Sequence, residues 1–212
     1  MKNRTVILST ALCLVPILLG LALYGQLPDM IPTHFNLNGT ANGWSSKEMA
    51  VFGIPAFMAV LNLFCHLASN ALGRGEKKVA PGPLFLFTAW LIPVLCNIMV
   101  PMSLFMGLGM EMPVGLIGCL LIGVVFVVVG NYLPKCKPNR YMGIKLPWTF
   151  ASEENWWKTH RFSGKVWVAC GFAMIVAGIM NWDWLLGLTV IAAISLPCGY
   201  SYLEYRKEFG LK

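Results

Sequence analysis

Charged residues are scarce in this chain. Only 12% of its 212 residues are Asp, Glu, Lys or Arg, about half of the roughly 25% that a soluble domain carries. None of these charges lies in the interior of a long apolar run, where proton-coupled carriers and voltage sensors normally hold one. The scarcity argues against a soluble domain and against a carrier driven by protons or voltage.

Patterns for metal binding and nucleophilic catalysis are also missing from the sequence. The seven cysteines include no CxxC pair, and six of them fall in apolar runs, so none is placed for a disulfide outside the cell. His34 with Asp29 gives too few ligands for a metal ion. We therefore predict no metal, no cofactor and no enzymatic activity.

Apolar residues, by contrast, make up 57% of the chain and gather in six long runs. At about 1.5 Å per residue, a helix over each run is long enough, or nearly so, to cross about 30 Å of hydrocarbon. The first run is too long for a signal-peptide core and lacks a clear cleavage site, so we expect a retained helix. The predicted spans are 5–24, 49–72, 84–106, 114–132, 164–181 and 184–202.

These runs predict an all-α integral membrane protein, a six-helix transmembrane bundle in which residues 1–212 form a single membrane domain. Residues 5–72 would hold helices 1 and 2 with an outside loop at 25–48, and residues 84–132 would hold helices 3 and 4. A basic cytoplasmic loop with an interfacial helix would occupy residues 133–163. Helices 5 and 6 would occupy residues 164–203.

The basic residues follow the loops that this topology places on one side. With the amino terminus in the cytoplasm, fifteen of the sixteen Lys and Arg residues fall inside and Lys47 alone falls outside, in agreement with the positive-inside rule. Both termini are therefore predicted to be cytoplasmic. The net charge of +7 is that expected of basic loops beside anionic lipid, so the bilayer is the expected partner and direct nucleic-acid binding is not.

Polar residues within the apolar runs form one helix face in the second span. Asn62, His66 and Asn70 recur every four residues and so stack on one side of a helix. Because polar groups in hydrocarbon need partners, this face should point into the bundle. It would be either a ligand-contacting track or a packing contact between helices, and we favour packing, with Asn97, Thr88 or Ser103 of the third span as partners.

Turn signals divide the outside loop into two extended segments. Pro28 and Pro32 stiffen its start, and the pairs Asn38-Gly39 and Asn42-Gly43 offer turns. The order of these residues predicts a small hairpin that lies on the bundle.

In the fourth span, Gly115, Gly118, Gly123 and Gly130 permit close approach of a second helix.

Seven of the sixteen basic residues lie between Gly130 and Lys165, and the loop they belong to ends in a helix-start signal. Ser152 can cap a helix whose first turn holds Glu153 and Glu154. This interfacial helix would present Trp156, Trp157, His160 and Arg161 to the lipid headgroups. His160 near two carboxylates also suggests catalysis or metal binding, but a histidine that only hydrogen-bonds is the favoured interpretation.

The two loops together resemble the SdpI family of bacterial membrane immunity proteins. Leu27-Pro-Asp-Met-Ile-Pro-Thr-His-Phe-Asn through Gly43-Trp44 is similar to the family's amino-terminal module, whose biochemical role is unknown. Gly130-Asn-Tyr-Leu-Pro, Lys137-Pro-Asn, Gly143-Ile-Lys, Pro147-Trp-Thr and Lys158-Thr-His-Arg, followed by Gly164-Lys, are similar to its second module. Lys145-Leu146 stands where the family pattern has Arg-Thr, which weakens any role for a planar arginine fork there.

The resemblance implies a protein of the bacterial plasma membrane that protects the cell from a secreted toxin peptide. In the founding member, signalling also occurs by holding a transcriptional repressor at the membrane. The site residues that the resemblance implies lie in both loops. Outside, toward a toxin or other ligand, they are Asp29, Pro32, His34, Asn36, Gly43 and Trp44; inside they are Asn131, Pro134, Asn139, Gly143, Pro147, Trp148, Thr159 and His160.

Three classes of function remain open at this point. The first is an immunity or signal-receiving protein that binds a hydrophobic peptide at its outer face. The second is a small multi-helix exporter of peptides or small molecules, which a three-plus-three internal repeat would favour; no such repeat is evident. The third is an intramembrane enzyme, which would need acid, base or metal ligands converging on one cavity, and it is disfavoured.

Overall fold

The structure is a computed structural model that describes residues 3–36, 39–72, 83–139 and 143–210. Within them the chain forms seven α-helices and one two-stranded sheet. It divides into two compact units, Met1–Pro113 and Val114–Lys212, here called unit 1 and unit 2. The single bundle expected from composition stays a prediction.

Unit 1 contains four helices and the sheet. Its helices are α1 (Asn3–Leu12), α2 (Val15–Leu23), α3 (Ile54–Leu72) and α4 (Pro83–Gly107), and its strands are β1 (Met30–Phe35) and β2 (Ala41–Ser46). A π-helical turn, Met49–Gly53, leads into α3. Pro55 follows this turn and has no N–H to offer the carbonyl of Val51, which explains why the helix is wound wider there.

Unit 2 contains three helices. They are α5 (Val114–Tyr132), α6 (Glu153–Met180) and α7 (Asp183–Glu208), with a short 3₁₀ turn, Leu133–Lys135, after α5. Most of the residues between α5 and α6 form irregular backbone and turns that pack against the amino-terminal part of α6.

Six helical segments of the described residues are long and apolar enough to cross a membrane. They are Arg4–Leu23, Met49–Ala68, Ala89–Gly107, Val114–Lys135, Glu153–Met180 and Asp183–Glu208. The six-span prediction is therefore confirmed, and the chain is an all-α multi-pass membrane protein. The orientation of its termini stays a prediction.

The first span is interrupted at Cys13 and Leu14, between α1 and α2. Pro16 has no N–H to donate to the carbonyl of Leu12, which lies four residues earlier. That carbonyl instead accepts a 2.8 Å hydrogen bond from Nδ2 of Asn97 on α4. A side chain of a neighbouring helix thus satisfies the group that the proline leaves open, as membrane helices require.

The core of unit 1 joins its helices to the sheet. Ile31 of β1 is fully buried there, so the hairpin docks on the helices through this side chain. The other buried members of this core are Cys13, Leu27, Ala50, Val51, Ala59, Cys96, Val100 and Leu104.

Glycines allow α5 and α6 of unit 2 to approach closely. A methyl group at Gly130 would lie 2.9 Å from the carbonyl oxygen of Gly164, and one at Gly123 would lie 2.7 Å from that of Gly171. Such contacts require a residue without Cβ. The expected close approach is confirmed for Gly123 and Gly130, whereas a methyl group at Gly118 would meet nothing within 4 Å.

The interfacial helix and the fifth span, expected as separate segments, are one continuous helix of 28 residues. It begins as predicted, because the Ser152 hydroxyl accepts a 3.0 Å hydrogen bond from the Asn155 N–H. It ends at Asn181, which adopts the left-handed conformation with φ of 54°.

Candidate functional site

The loop of unit 1 that is predicted to lie outside the cell is an antiparallel hairpin, as the turn signals predict. Pro32 lies opposite Trp44 and Met30 opposite Ser46, with irregular register from Pro32 to Phe35. The backbone N–H of Asn36 donates to the carbonyl of Thr40 at 3.0 Å. Asn38, the first residue of one predicted turn, lies outside the described residues.

The irregular register brings two candidate residues, His34 and Gly43, together with Asn42. Nδ1 of His34 lies 2.6 Å from Oδ1 of Asn42, and both side chains are exposed. Gly43 lies opposite His34, and a methyl group there would be 2.8 Å from Cβ of His34. Gly43 therefore makes room for His34, while His34 and Asn42 present polar groups to the surface.

The same hairpin exposes large apolar side chains. Trp44 and Met30 are each 55% exposed, and the pairing of Pro32 with Trp44 and of Met30 with Ser46 places them on one face of the sheet. The opposite face carries Ile31, which is buried in the core of unit 1. One face of the hairpin is thus bound to the helices. On the other face Met30 and Trp44 are available to a ligand, whereas Pro32, which was predicted to face the ligand, is buried.

Asp29 and Asn36 help to hold the two ends of the hairpin. The Asp29 carbonyl accepts a 2.9 Å hydrogen bond from the Lys47 N–H, and its exposed carboxylate lies 3.8 Å from the Lys47 ammonium. Oδ1 of Asn36 accepts a 2.9 Å bond from the Thr40 N–H near the turn. In the structure both residues act on the backbone of the hairpin.

The polar face of α3 is buried against α1. Asn62 and His66 are 1% and 3% exposed. Nδ2 of Asn62 donates to the hydroxyls of Ser9 and Thr10 at 3.0 Å each, and Nε2 of His66 lies 2.8 Å from Oγ of Ser9. The predicted burial of these two residues is confirmed, and the side chain of Asn70 lies outside the described part.

The partners of this face differ from the expected ones. Among the described side chains they are Ser9 and Thr10 of the first span, and not Asn97 or Ser103 of the third. Asn97 is engaged with the backbone carbonyls of Leu12 and Pro93, and the Thr88 side chain is not among those described. Spacing within α3 shows which face is polar, but it does not show which helix lies against it.

The motif of unit 2 that is predicted to face the cytoplasm is here called the inner motif, and it is built around Trp156 and His160 on α6. Its predicted residues are Asn131, Pro134, Asn139, Gly143, Pro147, Trp148, Thr159 and His160. Their rings stack with centroids 4.1 Å apart, and the Trp156 indole N–H donates to the Cys136 carbonyl at 2.8 Å. The backbone N–H of Ile144 donates to Nε2 of His160 at 3.0 Å, and Nδ1 lies 2.8 Å from the Trp156 carbonyl. Nδ1 must therefore carry the proton, which makes His160 a neutral imidazole with both nitrogens engaged.

The expectation that Trp156 and His160 face the lipid headgroups is wrong. They are 1% and 0% exposed, because the irregular segment before α6 covers them. Trp157 is partly exposed and Arg161 is fully on the surface, so these two lie on the outward side of the helix. The favoured hydrogen-bonding role of His160 agrees with the contacts of its ring.

Gly143 is the residue that lets this segment reach His160. Its φ is +111°, and a methyl group there would collide with Nε2 of His160 and lie 3.0 Å from the Trp156 ring. Only glycine satisfies both the left-handed region and this contact. At this position of the motif the backbone conformation and its neighbours therefore require glycine.

Thr149 organises the turn around Pro147. Its hydroxyl accepts from the Leu146 N–H at 2.8 Å and lies 3.0 Å from the Ile144 carbonyl, and the residue is 1% exposed. Pro147 is exposed in this turn. Thr149 belongs to the family-like motif Pro147-Trp-Thr but was not among the predicted site residues, and its position just after Pro-Trp was the available signal.

A second buried network links α6 to α7. Oδ1 of Asn155 accepts from the Thr159 hydroxyl at 2.8 Å and from the Ser201 hydroxyl at 3.0 Å, and Nδ2 of Asn155 donates to the Ser201 carbonyl. All three residues are buried. Thr159 was a predicted site residue; Asn155 and Ser201 were not, because no local pattern distinguishes them from capping or packing residues.

The remaining candidate residues of the inner motif lie around these two buried networks. Asn131 is exposed on α5, Pro134 packs beside Gly164, and Asn139 donates to the Lys137 carbonyl at 2.7 Å. The Trp148 ring meets the Tyr202 ring edge-on at 5.4 Å. Its buried indole N–H has no hydrogen-bond partner among the described residues.

These contacts fit a structural and recognition role for the inner motif better than a chemical one. Burial raises the pKa of the Cys136 thiol, and a hydrogen bond from Asn139 lowers it by less, so this thiol is a poor nucleophile. In the ranges that the structure describes, no three His, Cys, Asp or Glu residues lie close enough to hold a metal ion.

Comparisons with known protein families give one match in each of the two units of the chain. Residues 135–201 match the SdpI/YfhL protein family, and residues 11–59 match a domain of unknown function, DUF1648. The first match contains most of the inner motif and the second contains the hairpin.

A relative of similar length extends the likeness to both units. The Immunity protein SdpI of Bacillus subtilis (strain 168) is 27% identical over 207 residues, which cover 96% of this chain and 97% of that protein. No solved structure matches the chain significantly. The resemblance to the SdpI family is thereby confirmed, by its family model across the inner motif and by similarity to the immunity protein along almost the whole chain.

Proposed function

We propose that this protein is a membrane immunity protein that protects its cell from a secreted, membrane-active peptide. The observation that carries the proposal is the similarity along 96% of the chain to a protein named for immunity. Because the similarity includes both the hairpin and the inner motif, it supports a shared mode of action rather than a shared membrane helix alone.

The outer hairpin is the proposed receiving surface. Its exposed face combines the apolar side chains of Trp44 and Met30 with the polar pair His34 and Asn42. A membrane-active peptide is amphipathic and can match such a surface with its apolar and polar sides. The buried Ile31 on the opposite face supports a hairpin fixed firmly enough to keep this surface in place.

The inner motif is the proposed site for a cytoplasmic repressor. Large apolar side chains are exposed beside it, with Phe150 at 50%, Tyr202 at 45%, Leu203 at 54% and Phe209 at 50%. Exposed apolar groups next to a firmly hydrogen-bonded segment suit the docking of a protein partner. Holding a repressor here would couple the presence of the peptide to transcription.

Expression in a sensitive bacterium tests the immunity proposal. Cells that make the protein should grow at higher concentrations of a secreted membrane-active peptide than cells with an empty vector. An exporter would also raise tolerance, but it would lower the amount of peptide that the cells retain, so retained labelled peptide is measured in parallel. Unchanged tolerance to every peptide tested would contradict the proposal, and raised tolerance with active efflux would favour the exporter.

A pair of variants separates the two proposed surfaces. His34→Ala should lose protection, whereas Asn139→Ala should keep protection and lose only the response of a partner repressor. Glu111→Gln, an exposed change in the other main predicted outside loop, should alter neither. Membrane levels are matched by quantitative immunoblotting.

A further inference from the structure

A shallow groove of about 510 Å³ lies on α6 in unit 2. It is lined by Glu154, Trp157, Lys158 and Arg161, which occupy the first turns of the helix, before its apolar part. The groove shares no residue with the buried networks around His160 and Asn155. Trp157 is partly buried and Arg161 is exposed, so an indole face and a guanidinium group are both accessible.

Of the charged side chains that line this groove, that of Arg161 is left to bind a ligand. Nζ of Lys158 lies 2.8 Å from a Glu154 carboxylate oxygen and 3.0 Å from a Glu204 carboxylate oxygen. Nζ of Lys207 lies 2.8 Å from the other oxygen of Glu204, so these two lysines and two glutamates neutralise one another. Arg161 forms no ion pair with any residue for which the structure gives a side chain. Lys165, also exposed, follows one turn later and adds positive charge on the same side.

We propose that this groove binds the phosphate of an anionic phospholipid headgroup. The planar guanidinium of Arg161 matches two phosphate oxygens, and Trp157 offers the kind of side chain that lies at headgroup level. Because α6 continues directly into an apolar span, its first turns are where the headgroups would lie. The glycerol backbone of a lipid would cover Trp157, a contact that a free phosphate ion cannot make.

Lipid retention by the purified full-length protein tests this site. The protein in a non-ionic detergent is titrated with short-chain phosphatidylglycerol, with short-chain phosphatidylcholine and with inorganic phosphate, and bound lipid is counted by native mass spectrometry. The parent should prefer phosphatidylglycerol. Arg161→Gln should weaken that binding about tenfold, as expected for the loss of a charged hydrogen-bonding group.

A matched control separates the groove from the overall charge. Lys137→Gln removes one exposed positive charge outside the groove and should leave phosphatidylglycerol binding unchanged. Arg161→Lys keeps the positive charge but lacks the planar guanidinium, so it should bind phosphatidylglycerol about threefold more weakly than the parent. This variant tests the site if Arg161→Gln fails to fold.

Four results would overturn the proposal. The first is equal binding of the two lipids by the parent. The second is an equal loss of binding in Lys137→Gln and Arg161→Gln, and the third is parent-like binding by both Arg161 variants, because in either case the groove has no special role. The fourth is competition by inorganic phosphate at the same concentration as the lipid, because then the bound species is a free anion and not a headgroup.

Discussion

The indole N–H of Trp167 on α6 donates to the backbone carbonyl of Ala193 on α7 at 2.9 Å. In a regular helix this carbonyl would accept from the residue four positions later, but that residue is Pro197. The tryptophan therefore supplies the hydrogen bond that the proline cannot. Asn97 does the same for Leu12 in unit 1, where Pro16 is the proline concerned.

This relationship predicts that the effects of changing Trp167 and Pro197 are coupled. Trp167→Phe leaves the Ala193 carbonyl unsatisfied and should lower the free energy of unfolding by about 1 kcal/mol beyond the loss of indole packing. In a Pro197→Ala background the alanine brings a backbone N–H that can serve that carbonyl, so the hydrogen-bond part of the cost should disappear. A double-mutant cycle measured by denaturant unfolding in micelles checks this.

Ser195→Ala is the control for that cycle. Among the residues that the structure describes, its exposed hydroxyl bonds only to the Ile191 carbonyl of its own helix, and its removal should change stability little in either background. Equal costs of Trp167→Phe with and without Pro197 would contradict the explanation.

The buried contact between α1 and α3 gives a second prediction. Asn62→Leu removes two hydrogen bonds to Ser9 and Thr10 and leaves the two hydroxyls to find other partners. The cost should be on the order of 1 kcal/mol of unfolding free energy, in line with interhelical bonds in membrane proteins. Thermal unfolding in micelles measures it, and a variant as stable as the parent would show that this network contributes nothing to packing.

Gly143 and Gly109 provide a matched pair for the third prediction. Both have positive φ, +111° and +86°, but of the two only Gly143 lies against other side chains, those of His160 and Trp156. Gly109→Ala should cost about 1 kcal/mol from backbone strain alone. Gly143→Ala should cost about 2 kcal/mol more, because the methyl group displaces the Ile144 N–H from His160. Equal costs in urea unfolding would mean that the contact with His160 is not tight.

The orientation is tested by labelling from outside the cell. In a background without native cysteines, Thr40→Cys on the hairpin should react with a membrane-impermeant maleimide in intact cells. Lys137→Cys, exposed before α6, should react only after the membrane is opened, because the loop with seven basic residues is predicted to be inside. Labelling of Lys137→Cys in intact cells would overturn the predicted topology.

Local patterns in the sequence were sufficient to predict much of the fold. The six spans follow from the length of the apolar runs, the hairpin from its Asn-Gly and Pro signals, and the start of α6 from Ser152. The boundary between the interfacial helix and the fifth span was placed at residue 164 because Lys158, Arg161 and Lys165 interrupt the apolar run. Those residues lie on the outward side of a helix that continues unbroken.

Contacts between distant segments were not predictable in the same way. The roles of Ser9 and Ser201 depend on which helix lies beside theirs, and a lone serine in an apolar run carries no signal of that. The burial of Trp156 and His160 depends on Gly143 bringing the preceding segment over them. Helical spacing places both rings on one side of α6, but it cannot show what covers that side.

The proposed role of the exposed face of the hairpin, to receive a toxic peptide, is tested by a growth assay. The inhibitory concentration of a secreted membrane-active peptide is measured for a sensitive bacterium that makes the parent, Trp44→Ser or Phe57→Ser. Phe57, 64% exposed on the apolar surface of α3, is the control for loss of an exposed aromatic ring. At matched membrane levels, we expect the parent and Phe57→Ser to protect the cells and Trp44→Ser to lose protection. Full protection by Trp44→Ser would show that this face does not receive the peptide.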